Sequence, residues 1–155
     1  MTNEQIISKL VENNITISTA ESCTGGSLGK IITSVSGVSS IYGYGFITYA
    51  NEAKEKILGV SHETLESYGA VSPETALEMA IGARNVSGSD IAVSVTGIAG
   101  PGGGTPEKPV GLVYIAIADK NGAEYRKLSL DGTRDEIRKK TCDCVFALIK
   151  EKLNF

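Results

Sequence analysis

The apolar residues of the chain follow two spacings, one typical of strands and one typical of helices. Residues 15–20 place β-branched side chains (Ile15, Ile17 and Thr19) at every second position, and residues 91–95 place apolar side chains in the same way, so each segment predicts a strand. Residues 112–118 are almost continuously apolar, as expected for a central strand that is buried on both faces. Asn121-Gly122 is a strong hairpin signal and joins this segment to a further strand. The predicted strands cover residues 15–20, 43–49, 91–95, 112–118 and 124–130.

Helical spacing appears between these strands and at both ends of the chain. Thr2 followed by Gln5 reads as a capping box, and Ser72-Pro73-Glu74 has the cap, proline and acid that start a helix. Asn51 is expected to cap a short helix that Gly59 ends. The helical segments cover residues 6–11, 28–35, 52–58, 61–68, 76–83 and 137–148.

The order of these segments predicts the fold class. Helices and strands alternate through the first three strands, which favours parallel pairing, and a hairpin follows. We therefore expect an α/β layered sandwich with a mixed, mostly parallel sheet flanked by helices and an antiparallel edge hairpin. The chain has 155 residues and no linker or repeat that would divide it, so residues 1–155 are expected to form one domain.

Composition and charge narrow the classes of function. Fifteen Lys and Arg against eighteen Asp and Glu give a net charge of −3, and there is no Trp, which argues against nucleic acid as a partner. No apolar run approaches the about 18 residues that cross a bilayer, so a membrane partner is not expected either. The N-terminus lacks the pattern of a signal peptide, and three cysteines cannot all pair. Reduced thiols and a cytoplasmic location are expected.

Three polar segments follow three predicted parallel strands, at the edge where open α/β sheets bind ligands. The first is the turn at residues 21–26, which leads into a helix. Its hydroxyls, Ser22 and Thr24, would lie beside unpaired backbone N–H groups, and Gly25 and Gly26 would let a ligand approach the backbone. Such a turn can hold a phosphate or stabilise an oxyanion beside a nucleophilic serine. An ordinary capped helix would show the same residues.

A serine nucleophile at Ser22 would need a base. The one histidine, His62, lies in a segment expected to be exposed, so a Ser-His-Asp triad is not favoured. The second polar segment follows the second strand and carries Tyr49, Asn51 and Lys54. Lys54 could act as the base if burial lowers its pKa; the alternative is a solvated helix lysine. Cys23 is a second candidate nucleophile, because a helix start would lower its pKa. Cys142 and Cys144 do not have the spacing of zinc ligands, so no metal is expected.

The glycine-rich loop at residues 96–105 is the third segment. It matches neither the Walker A pattern nor the dinucleotide-binding glycine pattern. Its backbone N–H groups, with Thr96 and Thr105, suit a phosphate or a carboxamide, whereas the alternative is a flexible surface loop. Arg134, near the start of the last helix, could bind an anion bidentately or could simply be solvated.

Several segments together resemble one family, the CinA C-terminal domain family, which includes stand-alone nicotinamide mononucleotide amidases. The resemblance covers nearly the whole chain and rests on the joint order of its segments. These are residues 19–26 (TAESCTGG), 45–54 (GFITYANEAK), 58–60 (LGV), 69–72 (GAVS), 96–104 (TGIAGPGGG) and 108–111 (KPVG).

The resemblance implies hydrolysis of the carboxamide of nicotinamide mononucleotide to nicotinate mononucleotide and ammonia, with neither metal nor cofactor. It implies that Ser22 is the nucleophile and that Lys54 and Tyr49 assist it, with the proton passing from Ser22 to Lys54 directly or through Tyr49. Family members often have Asp at the position of Thr133, a departure at the edge of the pocket. The residues expected to contact substrate are Thr24, Gly25, Gly26, Thr96, Gly97, Gly100 and Arg134.

Two other functions remain open at this point. One is a non-catalytic nucleotide-binding or regulatory module, because CinA-type domains also occur fused to another domain. The other is an amidase that uses Cys23 on a different substrate. The expected partners are a small nucleotide and further copies of the same chain in a homo-oligomer.

Overall fold

The computed structural model describes all 155 residues of the chain. Eleven helices and strands and one short 3-10 turn, Val38–Ser40, follow one another. In chain order they are α1 (Asn3–Glu12), β1 (Ile17–Glu21), α2 (Ser27–Thr33), β2 (Tyr44–Ile47), α3 (Asn51–Leu58), α4 (His62–Tyr68), α5 (Pro73–Ser87), β3 (Ile91–Gly97), β4 (Leu112–Asp119), β5 (Gly122–Ser129) and α6 (Arg134–Leu153).

The five strands form one mixed sheet in the order β2-β1-β3-β4-β5. β1 lies between β2 and β3 and pairs with both in parallel. β4 runs antiparallel to β3 and to β5, so it alone runs against the other four strands. The predicted α/β class, with a mixed sheet and an antiparallel edge hairpin, is confirmed.

Helices cover both faces of the sheet. On one face, α1, α2 and α6 bury large apolar side chains such as Ile7, Leu28 and Phe146. On the other face, α5 packs through small residues, with Ala76 and Ala80 against β4. Gly82 of α5 allows an even closer approach to α3, because a Cβ there would lie 1.8 Å from the carbonyl oxygen of Leu58. The central strands β1 and β3 are buried along their length for this reason.

Two local predictions were wrong in detail. The first strand begins at Ile17 instead of residue 15 and continues to Glu21, so the strand ends directly before Ser22. Asn51 is the first residue of α3, and Ala50, in extended conformation, occupies the cap position without any side-chain hydrogen bond. The polar cap was assigned one residue too late because Asn is also tolerated inside the first turn. None of the six helices combines the length and the apolar character of a membrane-spanning segment.

Candidate active site

A cavity of about 260 Å³ lies at the edge of the sheet where β1, β2 and β3 end. Each of these strands is followed by residues of the cavity wall, as expected for the carboxyl edge of parallel strands. The wall is formed by Ser22, Cys23, Tyr49, Lys54, Ala70, Val71, Thr96, Gly97, Ile98, Ala99, Gly100, Gly102, Gly103 and Arg134. Seven of the ten residues predicted for the site are therefore together; Thr24, Gly25 and Gly26 do not line this cavity.

Ser22 and Lys54 are in direct contact inside the cavity. The Nζ atom of Lys54 lies 3.0 Å from the Oγ atom of Ser22 and donates a 2.7 Å hydrogen bond to the carbonyl oxygen of Thr48. Lys54 is only 1% exposed, because it lies on the inner face of α3 together with Leu58. The alternative of a solvated helix lysine is therefore wrong.

Burial changes the acid–base behaviour of Lys54. Both hydrogen-bond partners of the amine are neutral oxygens, so no carboxylate compensates for the lost hydration of its charge. Desolvation therefore lowers the pKa of Lys54 from its usual value of 10.5. A neutral lysine amine next to a serine hydroxyl can accept the serine proton, which is how a Ser-Lys pair produces a nucleophile.

Cys23 lies beside Ser22, but its thiol has the opposite character to the one predicted. Cys23 is 6% exposed, and burial raises the pKa of its thiol to about 11, with the negative charge of Glu21 adding to the rise. The expectation of a lowered pKa at this helix start is wrong. The thiol stays protonated near neutral pH, which argues against Cys23 as the nucleophile.

Glu21 explains why the helix start does not favour anions. Its carboxylate accepts hydrogen bonds from the backbone N–H groups of Gly26 (3.2 Å), Leu28 (2.9 Å) and Gly29 (3.1 Å). The N-terminus of α2, which the sequence suggested for a phosphate or an oxyanion, is thus occupied by the protein's own side chain. The backbone N–H groups of Cys23 and Thr24 have no acceptor in the protein. Sequence reasoning missed Glu21, although an acid directly before a Ser/Gly-rich helix start was a usable signal.

Tyr49 lies at the rim of the cavity and is 59% exposed. Its hydroxyl accepts a 2.9 Å hydrogen bond from Arg134, whose guanidinium also donates to the carbonyl oxygen of Gly100 at 2.7 Å. Arg134 therefore ties the start of α6 to the end of β2 and to the glycine-rich loop. Because Ser22 and Lys54 are in direct contact, no relay through Tyr49 is needed between them.

The glycine-rich loop leaves β3 under tight packing. A Cβ at Gly97 would lie 2.6 Å from the side chain of Val113, so only glycine fits there without a shift. The hydroxyl of Thr96 donates to the carbonyl oxygen of Ala70 at 2.7 Å. Thr105 lies outside the cavity wall, and its hydroxyl accepts the backbone N–H of Lys108. Thr96, but not Thr105, is positioned to contact a ligand in the cavity.

His62 does not take part in the site. Its side chain is 72% exposed, and its ring contacts the carboxylate of Glu55 at 2.7 Å. No histidine lines the cavity, so the basic side chain in contact with the Ser22 hydroxyl there is Lys54.

The fold and the site define an α/β protein with an open mixed sheet. A buried serine–lysine pair lies at the carboxyl edge of its parallel strands. The family described as CinA C-terminal domain matches residues 1–153. The chain therefore belongs to the CinA C-terminal domain family.

Curated relatives are similar to this chain over most of its length. A CinA-like protein from Endomicrobium trichonymphae is 53% identical over 144 residues, which are 93% of this chain and 34% of that protein. The chain spans about a third of the length of the curated relatives it matches.

Solved structures match this chain with almost complete coverage of both chains. The competence/damage inducible protein CihA from Agrobacterium tumefaciens has a TM-score of 0.93 and 44% identity, covering 99% of this chain and 93% of that chain. The competence damage-inducible protein A from Klebsiella pneumoniae has a TM-score of 0.93 and 31% identity, covering 99% and 98%.

Proposed function

We propose that this protein is a nicotinamide-nucleotide amidase that hydrolyses the carboxamide of nicotinamide mononucleotide to nicotinate mononucleotide and ammonia. The observation that carries the proposal is the buried 3.0 Å contact between the Nζ atom of Lys54 and the Oγ atom of Ser22. A lysine that is held next to a serine, without a carboxylate partner, suits proton abstraction better than it suits fold stability. The family resemblance supplies the substrate.

The first step of the proposed reaction forms an acyl-enzyme. Lys54, in its neutral form, accepts the proton of the Ser22 hydroxyl while the Oγ atom attacks the carboxamide carbon. The tetrahedral intermediate then collapses, the C–N bond breaks, and Lys54 returns the proton to the leaving nitrogen. Ammonia departs, and the nicotinoyl group remains on Ser22 as an ester.

The second step repeats the same proton transfers with water. Neutral Lys54 accepts a proton from a water molecule, whose oxygen attacks the ester carbon. Collapse of this intermediate breaks the bond to Ser22, and the proton on Lys54 restores the serine hydroxyl. The product is a carboxylate, so one proton is released to solvent.

Backbone groups beside Ser22 are suited to the developing negative charge. The N–H groups of Cys23 and Thr24 have no acceptor within the protein, whereas those of Gly25 and Gly26 are already donated to the protein's own oxygen atoms. Of these residues only Cys23 lines the cavity, so we assign the oxyanion to the N–H group of Cys23 in preference to those of Gly25 and Gly26. This choice leaves Gly25 and Gly26 to shape the turn, with positive φ angles of 58° and 107°.

The rest of the nucleotide would lie along the loop side of the cavity. Arg134 is the second cationic side chain of the wall, after Lys54, and its guanidinium is the natural partner for the substrate phosphate. Thr96, Gly97 and Gly100 would face the ring and ribose. Tyr49, bonded to Arg134, would assist by holding the guanidinium at the rim.

Ammonia release from nicotinamide mononucleotide tests the proposal directly. The purified protein and its Ser22→Ala variant are assayed with EDTA present, and folding of both is checked by circular dichroism. We expect release by the wild type that survives EDTA and disappears in Ser22→Ala. No release from a folded wild-type protein would refute the amidase proposal.

A non-catalytic nucleotide-binding module is the second candidate. It is favoured by the length comparison, because the chain corresponds to about a third of its longer relatives and can serve there as a ligand-binding part. Calorimetry with nicotinamide mononucleotide separates the two functions. Binding without turnover by the wild type would support the module, and turnover would exclude it.

A further inference from the structure

Glu21 occupies an unusual place, because it is the last residue of β1 and directly precedes Ser22. Its side chain is 2% exposed, and both carboxylate oxygens are used: one accepts from Gly26 and Leu28, the other from Gly29. A buried carboxylate at a helix N-terminus satisfies unpaired N–H groups and interacts favourably with the helix dipole. Here it also connects the strand to the helix across the turn that carries Ser22.

The backbone of Glu21 is fixed as firmly as its side chain. Its carbonyl oxygen accepts the N–H of Thr48 at 2.9 Å, and the neighbouring N–H of Ser22 donates to the carbonyl oxygen of Val95 at 3.1 Å. The sheet therefore holds one end of the turn at residues 22–26, and the Glu21 carboxylate holds the other end at α2. The Ser27 hydroxyl and Arg138 also donate to the turn, at the carbonyl oxygens of Thr24 and Cys23, but Glu21 is the side chain that accepts the backbone N–H groups at the start of α2.

We propose that Glu21 is the positioning residue of the nucleophile: by filling the N-terminus of α2 it fixes the turn at which the Ser22 hydroxyl meets Lys54. The inference rests on the proposed function only in taking Ser22 as the nucleophile. A second consequence concerns the substrate, since an N-terminus that already holds a carboxylate repels a phosphate. The anionic end of the substrate is thereby directed to Arg134 at the other side of the cavity.

Replacement of Glu21 by glutamine tests this role. Glutamine keeps the shape of the side chain but loses the charge and turns one of the two acceptors into a donor, which would face an N–H group. The matched control is Asp90→Asn, because Asp90 accepts the backbone N–H and the hydroxyl of Thr16, both at 2.8 Å, just before the opposite end of β1. Each variant loses one carboxylate that bonds backbone next to the same strand.

Two readouts are needed. The first is kcat and KM for ammonia release from nicotinamide mononucleotide, measured well below the unfolding temperature of each variant. The second is the rate at which a fluorophosphonate probe labels Ser22, located by mass spectrometry, which requires the nucleophile but not the natural substrate. We expect Glu21→Gln to lower kcat and the labelling rate by about ten- to a hundredfold with little change in KM, because a displacement of about 1 Å is enough for such a loss.

The outcomes separate the two proposals. Slower labelling in Glu21→Gln but not in Asp90→Asn supports Glu21, even if the wild type releases no ammonia and the amidase proposal fails. Equal rates in the wild type and Glu21→Gln, or equal losses in both variants, would overturn it, as would a wild type whose Ser22 is never labelled. Should Glu21→Gln fail to fold, Glu21→Asp, which keeps the charge but is one methylene too short, is expected to show the same loss.

Discussion

Two buried serines near the two ends of β1 differ in their hydrogen-bond partners and in their access to the cavity. Ser18, near the start of the strand, is fully buried and bonds the hydroxyls of Ser87 and Ser89 at 3.0 and 2.9 Å. Ser22, directly after the strand, is 8% exposed and bonds the amine of Lys54. The first hydroxyl belongs to a closed network of neutral groups, and the second faces a base and a cavity. In the proposed reaction it is the amine partner and the open space beside Ser22, and not burial, that make its hydroxyl a nucleophile.

The largest effect is expected from removing the base. Lys54→Met keeps the length of the aliphatic part of the side chain but has no amine, so ammonia release should fall on the order of a thousandfold, the middle of the range for general-base catalysis. Ser18→Ala serves as the control and should retain full activity while its free energy of unfolding falls by about 1 kcal/mol, the worth of one hydrogen bond. Equal activity in Lys54→Met and wild type would contradict the proposed role of Lys54 as the base for Ser22.

The pH dependence sharpens the role of Lys54. Because the amine must be neutral to act, activity should rise about tenfold per pH unit below its pKa and then level off, at a pH lower than 10.5.

The same shift affects stability. Between the lowered pKa of Lys54 in the folded protein and its ordinary pKa in the unfolded chain, the unfolded chain binds one more proton. The free energy of unfolding should therefore also rise with pH in that window. Chemical denaturation of wild type and Lys54→Met across this range checks the second statement. A Lys54→Met variant with the same rise would contradict it.

A smaller effect is expected at the rim of the cavity. Arg134→Gln removes the guanidinium that we assign to the substrate phosphate, so KM should rise by about tenfold or more, as for the loss of a hydrogen bond to a charged group. Arg126→Gln is the matched control, because Arg126 is on β5 and pairs with Glu124 and Glu151. If both variants raise KM equally, Arg134 has no special contact with substrate.

The smallest effect is expected at the thiol beside Ser22. With a pKa raised to about 11, Cys23 should resist iodoacetamide at pH 7.5 in the folded protein, and activity should persist after treatment. The denatured chain, in which all three cysteines are accessible, provides the control. Rapid modification of Cys23 with loss of activity would instead support the alternative in which Cys23 is the nucleophile.

The sequence predicted the fold because its signals are local. Alternation at residues 91–95 and the Asn121-Gly122 hairpin each determine a strand or a turn from neighbouring residues, and strand order then places three polar segments at one edge. The convergence of Ser22, Lys54 and Thr96 on one cavity follows from that order.

Other features of the site were not predictable, because they depend on contacts between distant residues. Lys54 looks like any helix lysine until α3 is packed against the sheet, and only packing lowers its pKa. The direction of the shift at Cys23 was wrong because burial, which raises the pKa of the thiol, outweighs the helix start, whose N–H groups are occupied by Glu21. Tyr49 and Arg134 are 85 residues apart, so their hydrogen bond has no local signal.

The exposed edge strand β2 has a consequence for local stability. β1 and β3 are paired on both sides and buried, whereas β2 is paired on one side only, and Tyr44 and Ile47 are 50% and 56% exposed. Amide hydrogens exchange fastest where few buried contacts oppose opening, so β2 should open at a lower free-energy cost than its neighbours. Ser22 follows a strand that is paired on both sides, and Tyr49 follows an edge strand. One side of the cavity thus follows β1, which resists local opening. The other side follows β2, which can open more easily when a ligand enters or leaves.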